Sequence, residues 1–237
     1  LQPGNFIIAA LLVELFHLPP AIYGLIASLP FWGNFAQAFL MPLVNRAYSP
    51  KAVSVASSSL QLLCWAAMAV MLSFLPADKP EISGHWFVTL FALSAAVTSL
   101  TGVSWMSWVQ EWVPLRLRGK YFGLRNRLLQ VSQIIFLVVS GWLIGRLGGS
   151  VAAFQVVIGS AVVLRLASVL FQRRIQSETA LSDRLEVRLA WHEQLAVLRA
   201  TKPFLWLIAY GSAWGFAASA FGPFNTVFMY KELGMSV

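Results

Sequence analysis

The stretch from Trp108 to Arg127, WVQEWVPLRLRGKYFGLRNR, decides how the rest of the chain is read. An apolar, tryptophan-rich run stops at Glu111 and Pro114. Arg116, Arg118, Lys120, Arg125 and Arg127 follow, and a second long apolar run begins. Cationic side chains between two membrane-length segments mark a loop held on the cytoplasmic side. Pro114 lacks the amide donor that continuing the first helix would need, so the helix stops there. Gly119 and Gly123, four apart, would let the start of the next helix approach a neighbouring backbone closely.

Outward from this stretch, the composition agrees. The 237 residues are 58% hydrophobic and 11% charged, with a mean hydropathy of +0.71. A soluble domain of this size needs far more polar surface, so the composition points to a membrane protein. The net charge of +8 comes from 17 basic and 9 acidic residues, and the basic ones sit in short loops between apolar runs. That placement suits anionic lipid head groups and the bilayer as partners rather than nucleic acid. Cys64 is the single cysteine, which excludes an intrachain disulfide and a cysteine metal cluster. His17, His85 and His192 lie in different segments without a ligand partner at helical spacing. With no phosphate-binding glycine loop and no mid-helix carboxylate, neither catalysis, a metal nor a cofactor is expected.

Taken in order, residues 1–16 are apolar but shorter than the ~20 residues of a spanning helix. They read as a first helix that has lost its start, with a re-entrant piece as the alternative. His17-Leu18-Pro19-Pro20 makes a turn, and helices follow at about 21–44, 52–75, 85–112, 121–146, 150–172 and 204–230. Polar segments separate them: a loop with Arg46 and Lys51, a loop with Asp78 and Lys79, and a long stretch over 173–203. In that stretch Leu181, Leu185 and Leu189 recur every four residues among Arg184, Arg188 and Glu193. This is an amphipathic helix, lying on the cytoplasmic membrane surface or packed under the bundle. The loops after helices two, four and six hold 13 Lys/Arg, against Lys79 and Arg146 in the alternate loops. This bias places the amino-terminal side in the cytoplasm, as in a bacterial inner membrane. The chain opens inside one apolar segment and closes just after another, so it reads as a piece truncated at both ends.

The pattern Glu111, Pro114, Arg118-Gly119, Gly123 and Asn126 resembles the loop between the fourth and fifth helices of bacterial major facilitator superfamily transporters. The segment Pro42 to Lys51, PLVNRAYSPK, is similar to that family's signature between helices two and three. Arg46 and Lys51 match it, Asn45 stands where the acidic residue belongs, and the glycine is missing. Gly4, Phe6, Glu14 and Leu15 recur at identical spacing as Gly222, Phe224, Glu232 and Leu233, relating helix one to helix seven. The resemblance implies an all-α, polytopic membrane helix bundle of about seven transmembrane helices. Its parts would be a six-helix bundle over 1–172, a cytoplasmic connection over 173–203, and the first helix of a second bundle over 204–237. It also implies transport of a small solute by alternating access. The helix-five end, Gly141 to Gly149, carries Arg146 where the family's antiporter signature has proline. That does not support drug/proton antiport. A non-transporting polytopic protein, an enzyme or a scaffold, is the alternative.

Candidate site residues lie on polar stripes. Asn34 and Gln37 share a face of helix two, and Thr101, Ser104, Trp105, Trp108 and Glu111 share one of helix four. Asn126, Gln130, Gln133 and Ser140 follow on helix five. In hydrocarbon such amides need partners, so they face a water-filled cavity or hydrogen-bond between helices. Gln130 and Gln133 are expected in the cavity, on the family's precedent. Tyr210, Trp214, Phe221 and Asn225 recur on helix seven, and Gly222-Pro223 would bend it. The substrate-cavity candidates are thus Asn34, Gln37, Ser104, Trp105, Gln130, Gln133, Tyr210, Trp214 and Asn225. The gating and loop candidates are Arg46, Lys51, Glu111, Arg118, Gly119, Gly123 and Asn126, with Glu111 expected to pair with Arg118 or Arg46. Arg165, inside helix six, is expected to snorkel to the cytoplasmic interface ~10 Å away.

Overall fold

The computed structural model describes residues 5–76, 78–176 and 199–231. Side chains at 6, 38, 41–43, 45–47, 218–227 and 229–231 also lie outside the description. The described residues form helices and turns only. In order they are α1 (Phe6–Ala10) continued by a π turn (Leu11–Leu15), α2 (Pro20–Ala47), α3 (Pro50–Met71), α4 (Pro80–Trp112), a 3-10 turn (Leu115–Leu117), α5 (Arg118–Arg146), α6 (Val151–Arg174) and α7 (Lys202–Lys231).

Local chemistry sets most of these boundaries. Pro20, Pro50 and Pro80 each open a helix, where a missing amide hydrogen costs nothing and a fixed φ helps. Ser49 and Ser150 cap α3 and α6, their hydroxyls accepting from Ala52 N at 3.2 Å and Ala153 N at 3.4 Å. At the end of α5, Gly148 takes φ +65°. Gly149 N then donates to Ile144 O at 3.0 Å and Gly148 N to Gly145 O at 3.3 Å, which closes the last turn.

Two expected breaks are absent. Pro42 to Lys51 is not a loop: α2 runs on to Ala47, and only Tyr48 and Ser49 separate it from α3. The same Pro50 that reads as loop chemistry is a first-turn residue. Gly222-Pro223 does not interrupt α7, which stays helical from Lys202 to Lys231. The amphipathic helix expected within 173–203 falls mostly on 177–198, outside the described residues, as do Gly4, Glu232 and Leu233 of the internal repeat.

Four of the described helical stretches are long and apolar enough to cross a membrane: Pro50–Met71, Pro80–Trp112, Leu115–Arg146 and Val151–Arg174. The expected count was about seven. α2 and α7, with 28 and 30 residues, reach spanning length, but α2 carries Asn34, Gln37 and two prolines within its apolar run. The first segment is shorter still, a five-residue α-helix followed by a five-residue π turn. Its apolar residues face protein on every side, since Ile8 to Leu12 have no exposed surface. A helix apolar all round is one buried all round.

α4 is the centre of the bundle. It packs on α2 along one side and α3 along another, and α3 in turn packs on α6. Of its most apolar 18-residue stretch 44% is buried, against 11% for the α5 stretch, which touches its neighbours sparingly. Beside the edge-to-face pair Trp65–Phe91, much of what α3 and α4 bury is small and polar: Ser54, Ser57 and Ser58 on one, Ser94, Ser99, Thr101 and Ser104 on the other. Lipid is as apolar as leucine, so burying leucine gains little there. Small residues bring backbones into van der Waals range, and hydroxyls bond across, as Thr101 does to Ser57 at 2.9 Å.

Candidate functional site

α2 and α4 approach closely at Gly33 on α2, whose missing side chain admits the backbone of Ala95 on α4. Beside this crossing the two helices diverge and leave a cleft of about 330 Å³. Asn34 and Gln37, one turn apart on α2, border it; Trp65 of α3 and Phe91, Ser94, Thr98 and Ser99 of α4 complete the wall. The opening is amphipathic: aromatic faces on one part, amides and hydroxyls on the other. Among the described residues, no bordering side chain is ionisable.

Two hydroxyls of the α4 wall are already oriented. Thr98 Oγ1 donates to Ser94 O at 2.6 Å, and Ser99 Oγ to Ala96 O at 2.8 Å. Thr98 also accepts from Gln61 Nε2 of α3 at 2.6 Å. Gln61 Oε1 in turn accepts from Arg165 Nη2 of α6, which donates to Ser58 Oγ as well at 3.2 Å. Ser58 passes its own proton to Gln172 Oε1 at 3.3 Å. A polar chain thus crosses the bundle from α6 through α3 to the cleft.

Arg165 therefore does not snorkel. Its guanidinium turns inward, because two acceptors on α3 lie within hydrogen-bonding distance and the aqueous interface lies about two turns away. Reading the stripes of α2, α4 and α5 missed Gln61, Ser58 and Thr98, and Arg165 was expected at the interface instead. The signal was present: Ser54, Ser57, Ser58 and Gln61 sit at i, i+3, i+4 and i+7, a polar helical face in an apolar segment.

The other expected residues are scattered. Ser104 is buried on α4, next to Val103 of the cleft wall, and Trp105 lies beneath Arg125, whose guanidinium carbon is 4.1 Å from the ring centroid. Asn126, Gln130 and Gln133 are exposed on α5 and do not line this cleft. Tyr210 and Trp214 are exposed on α7 at 69% and 68%. Asn225 belongs to α7, but its side chain, like that of Arg46, lies outside the described residues.

Around the basic stretch, Lys51 is half-buried in the first turn of α3 and Glu111 half-buried at the end of α4. A Cβ on Gly119 or Gly123 would meet nothing within 4 Å, so these glycines serve no close helix approach here. Arg118 Nε donates to Val113 O at 3.1 Å and Nη2 to Gln110 O at 3.0 Å. The described bonds of Arg118 thus go to the terminal carbonyls of α4, where the helix end leaves acceptors unsatisfied and favours positive charge.

Long apolar helices packed through serine, threonine and glycine, with a basic turn between α4 and α5, describe an integral membrane bundle. No match is found for the chain among curated proteins or among solved structures. The family model for the Major Facilitator Superfamily matches residues 4–237, from before α1 to beyond α7. With a match of that extent joined to the helical architecture, the chain belongs to the major facilitator superfamily and is a membrane transport protein.

Proposed function

We propose that the protein moves a small solute across the membrane by alternating access, as a secondary active or facilitative transporter, with the α2–α4 cleft as part of the solute path. The observation carrying this reading is the cleft itself. Asn34 and Gln37 present amides to an opening of about 330 Å³ within a bundle otherwise lined by apolar and small side chains. Polar groups at membrane depth mark solute pathways more often than lipid-facing surface. In this reading 1–172 forms one six-helix bundle, 173–203 a cytoplasmic connection and 204–237 the first helix of a second bundle. The 13 Lys/Arg of alternate loops support an amino-terminal side in the cytoplasm, a bacterial inner membrane, and anionic lipids around those loops.

Uptake of a labelled solute panel into proteoliposomes tests it. Asn34→Leu and Gln37→Leu should each lower the initial rate of the transported solute several-fold at equal protein content. Wild-type rates in both would remove the cleft from the path.

A further inference from the structure

The geometry points to Arg165 as a positioning residue that, through Gln61, turns Thr98 into a hydrogen-bond acceptor toward the cleft, selecting an uncharged solute that presents O–H or N–H donors. This rests on the cleft being the solute site.

A guanidinium has donors only, so the end of Gln61 that faces Arg165 must be the carbonyl oxygen. The amide nitrogen is then the end that faces Thr98, and it can only donate. Thr98 receives that proton on its oxygen, and its own proton lies on the Ser94 carbonyl. A hydroxyl has one proton and two lone pairs, so what Thr98 has left for the cleft is a lone pair. Ser99 is in the same condition, its proton lying on Ala96 O.

Thr98 and Ser99 can therefore accept into the cleft and cannot donate. A carboxylate or phosphate laid against these two hydroxyls would find acceptors facing acceptors. A cation fares no better, because no bordering side chain carries a compensating charge and Arg165 stands one side chain behind the wall. A neutral hydroxylated molecule satisfies both walls. Its O–H groups donate to Thr98 and Ser99, the amides of Asn34 and Gln37 accept or donate as needed, and its carbon skeleton lies on Trp65 and Phe91. Arg165 acts at one remove, by holding the Gln61 amide in one of its two orientations.

Glucitol, gluconate and glucamine share one carbon chain and differ in charge, and make the probe set. Binding to the purified protein is followed by the ligand-induced rise in Tm. Glucitol should stabilise the protein and its charged analogues should not. Thr98→Val should abolish the glucitol effect and Thr98→Ser keep it. Arg165→Met should weaken apparent glucitol affinity about fivefold, the order expected for one misoriented hydrogen bond. Arg165→Lys, still a pure donor, should restore it. A merely structural Arg165 would lower the Tm of the unliganded protein and leave affinity unchanged.

Equal or greater stabilisation by gluconate or glucamine overturns the inference, as does no effect of glucitol or an intact glucitol effect in Thr98→Val. Asn34→Leu separates the two levels. If glucitol binds and neither Asn34→Leu nor Thr98→Val weakens it, the cleft reading itself fails. If both weaken binding of a preferred charged analogue, the cleft stands and only the selection for neutral donors is lost.

Discussion

Gly33 on α2 lies directly against the backbone of Ala95 on α4: a Cβ at Gly33 would stand 2.8 Å from the Ala95 carbonyl oxygen and 3.0 Å from its carbon. The obstructing atoms are main chain and cannot rotate aside, so a methyl group there must push the helices apart. Gly33→Ala should destabilise the protein by about 1–3 kcal/mol, the range for overpacking a close contact. Gly159→Ala on α6, where a Cβ meets nothing within 4 Å, is the control. It should be neutral or stabilising by up to ~1 kcal/mol, the helix-propensity difference. Thermal unfolding of both variants in detergent makes the comparison, and equal Tm values would contradict this crossing.

Arg118 closes the end of α4. Arg118→Ala removes two donors from the Gln110 and Val113 carbonyls and a positive charge from a helix C-terminus. The turn is partly exposed, so water replaces much of what is lost, and the expected cost is about 1 kcal/mol. Arg118→Lys keeps the charge without the planar fork and should recover part of it. Hydrogen exchange at the amides of 109–118 should rise locally in Arg118→Ala. Unchanged protection there would show that the cap is not formed in solution.

Trp105 and Arg125 join α4 to α5, elements that otherwise touch little. A guanidinium over an indole face contributes about 0.5–1 kcal/mol when accessible and more when desolvated. Trp105→Leu and Arg125→Gln should each lower stability by that order, and the double variant should lose little beyond either one, because both break the same contact. Additive losses in a thermal double-mutant cycle would dissolve the pairing.

Sidedness can be read with cysteine chemistry, since native Cys64 is buried and 5% exposed, leaving a low background. Asp78→Cys and Arg116→Cys both lie at exposed positions, in the turns before and after α4. An impermeant thiol reagent added outside intact cells should label Asp78→Cys and spare Arg116→Cys. Labelling in the opposite sense would invert the orientation drawn from the basic loops.

The sequence alone determined where the helices are. Boundaries depend on neighbours in the chain: Pro50 and Pro80 at first turns, Ser49 and Ser150 as caps, Gly148 at a stop, and the Pro114 break between α4 and α5. The expected 121–146 and 150–172 differ from Arg118–Arg146 and Val151–Arg174 by three residues or fewer at each end. Overreading came where proline and glycine have two uses, as at Pro42–Lys51 and Gly222-Pro223.

Tertiary structure decided how each helix is turned. In a bilayer both the lipid-facing and the buried sides are apolar, so the polarity contrast that orients a soluble helix is weak. Asn34–Gln37 and Gln130–Gln133 make the same mark in the sequence, yet the first pair lines the α2–α4 cleft and the second does not. Arg165 and Gln61 are 104 residues apart, and their meeting depends on how α3 and α6 pack. A short range of chain sets a helix; which polar groups share a cavity depends on rotations and crossings that only close contacts such as Gly33 against Ala95 settle.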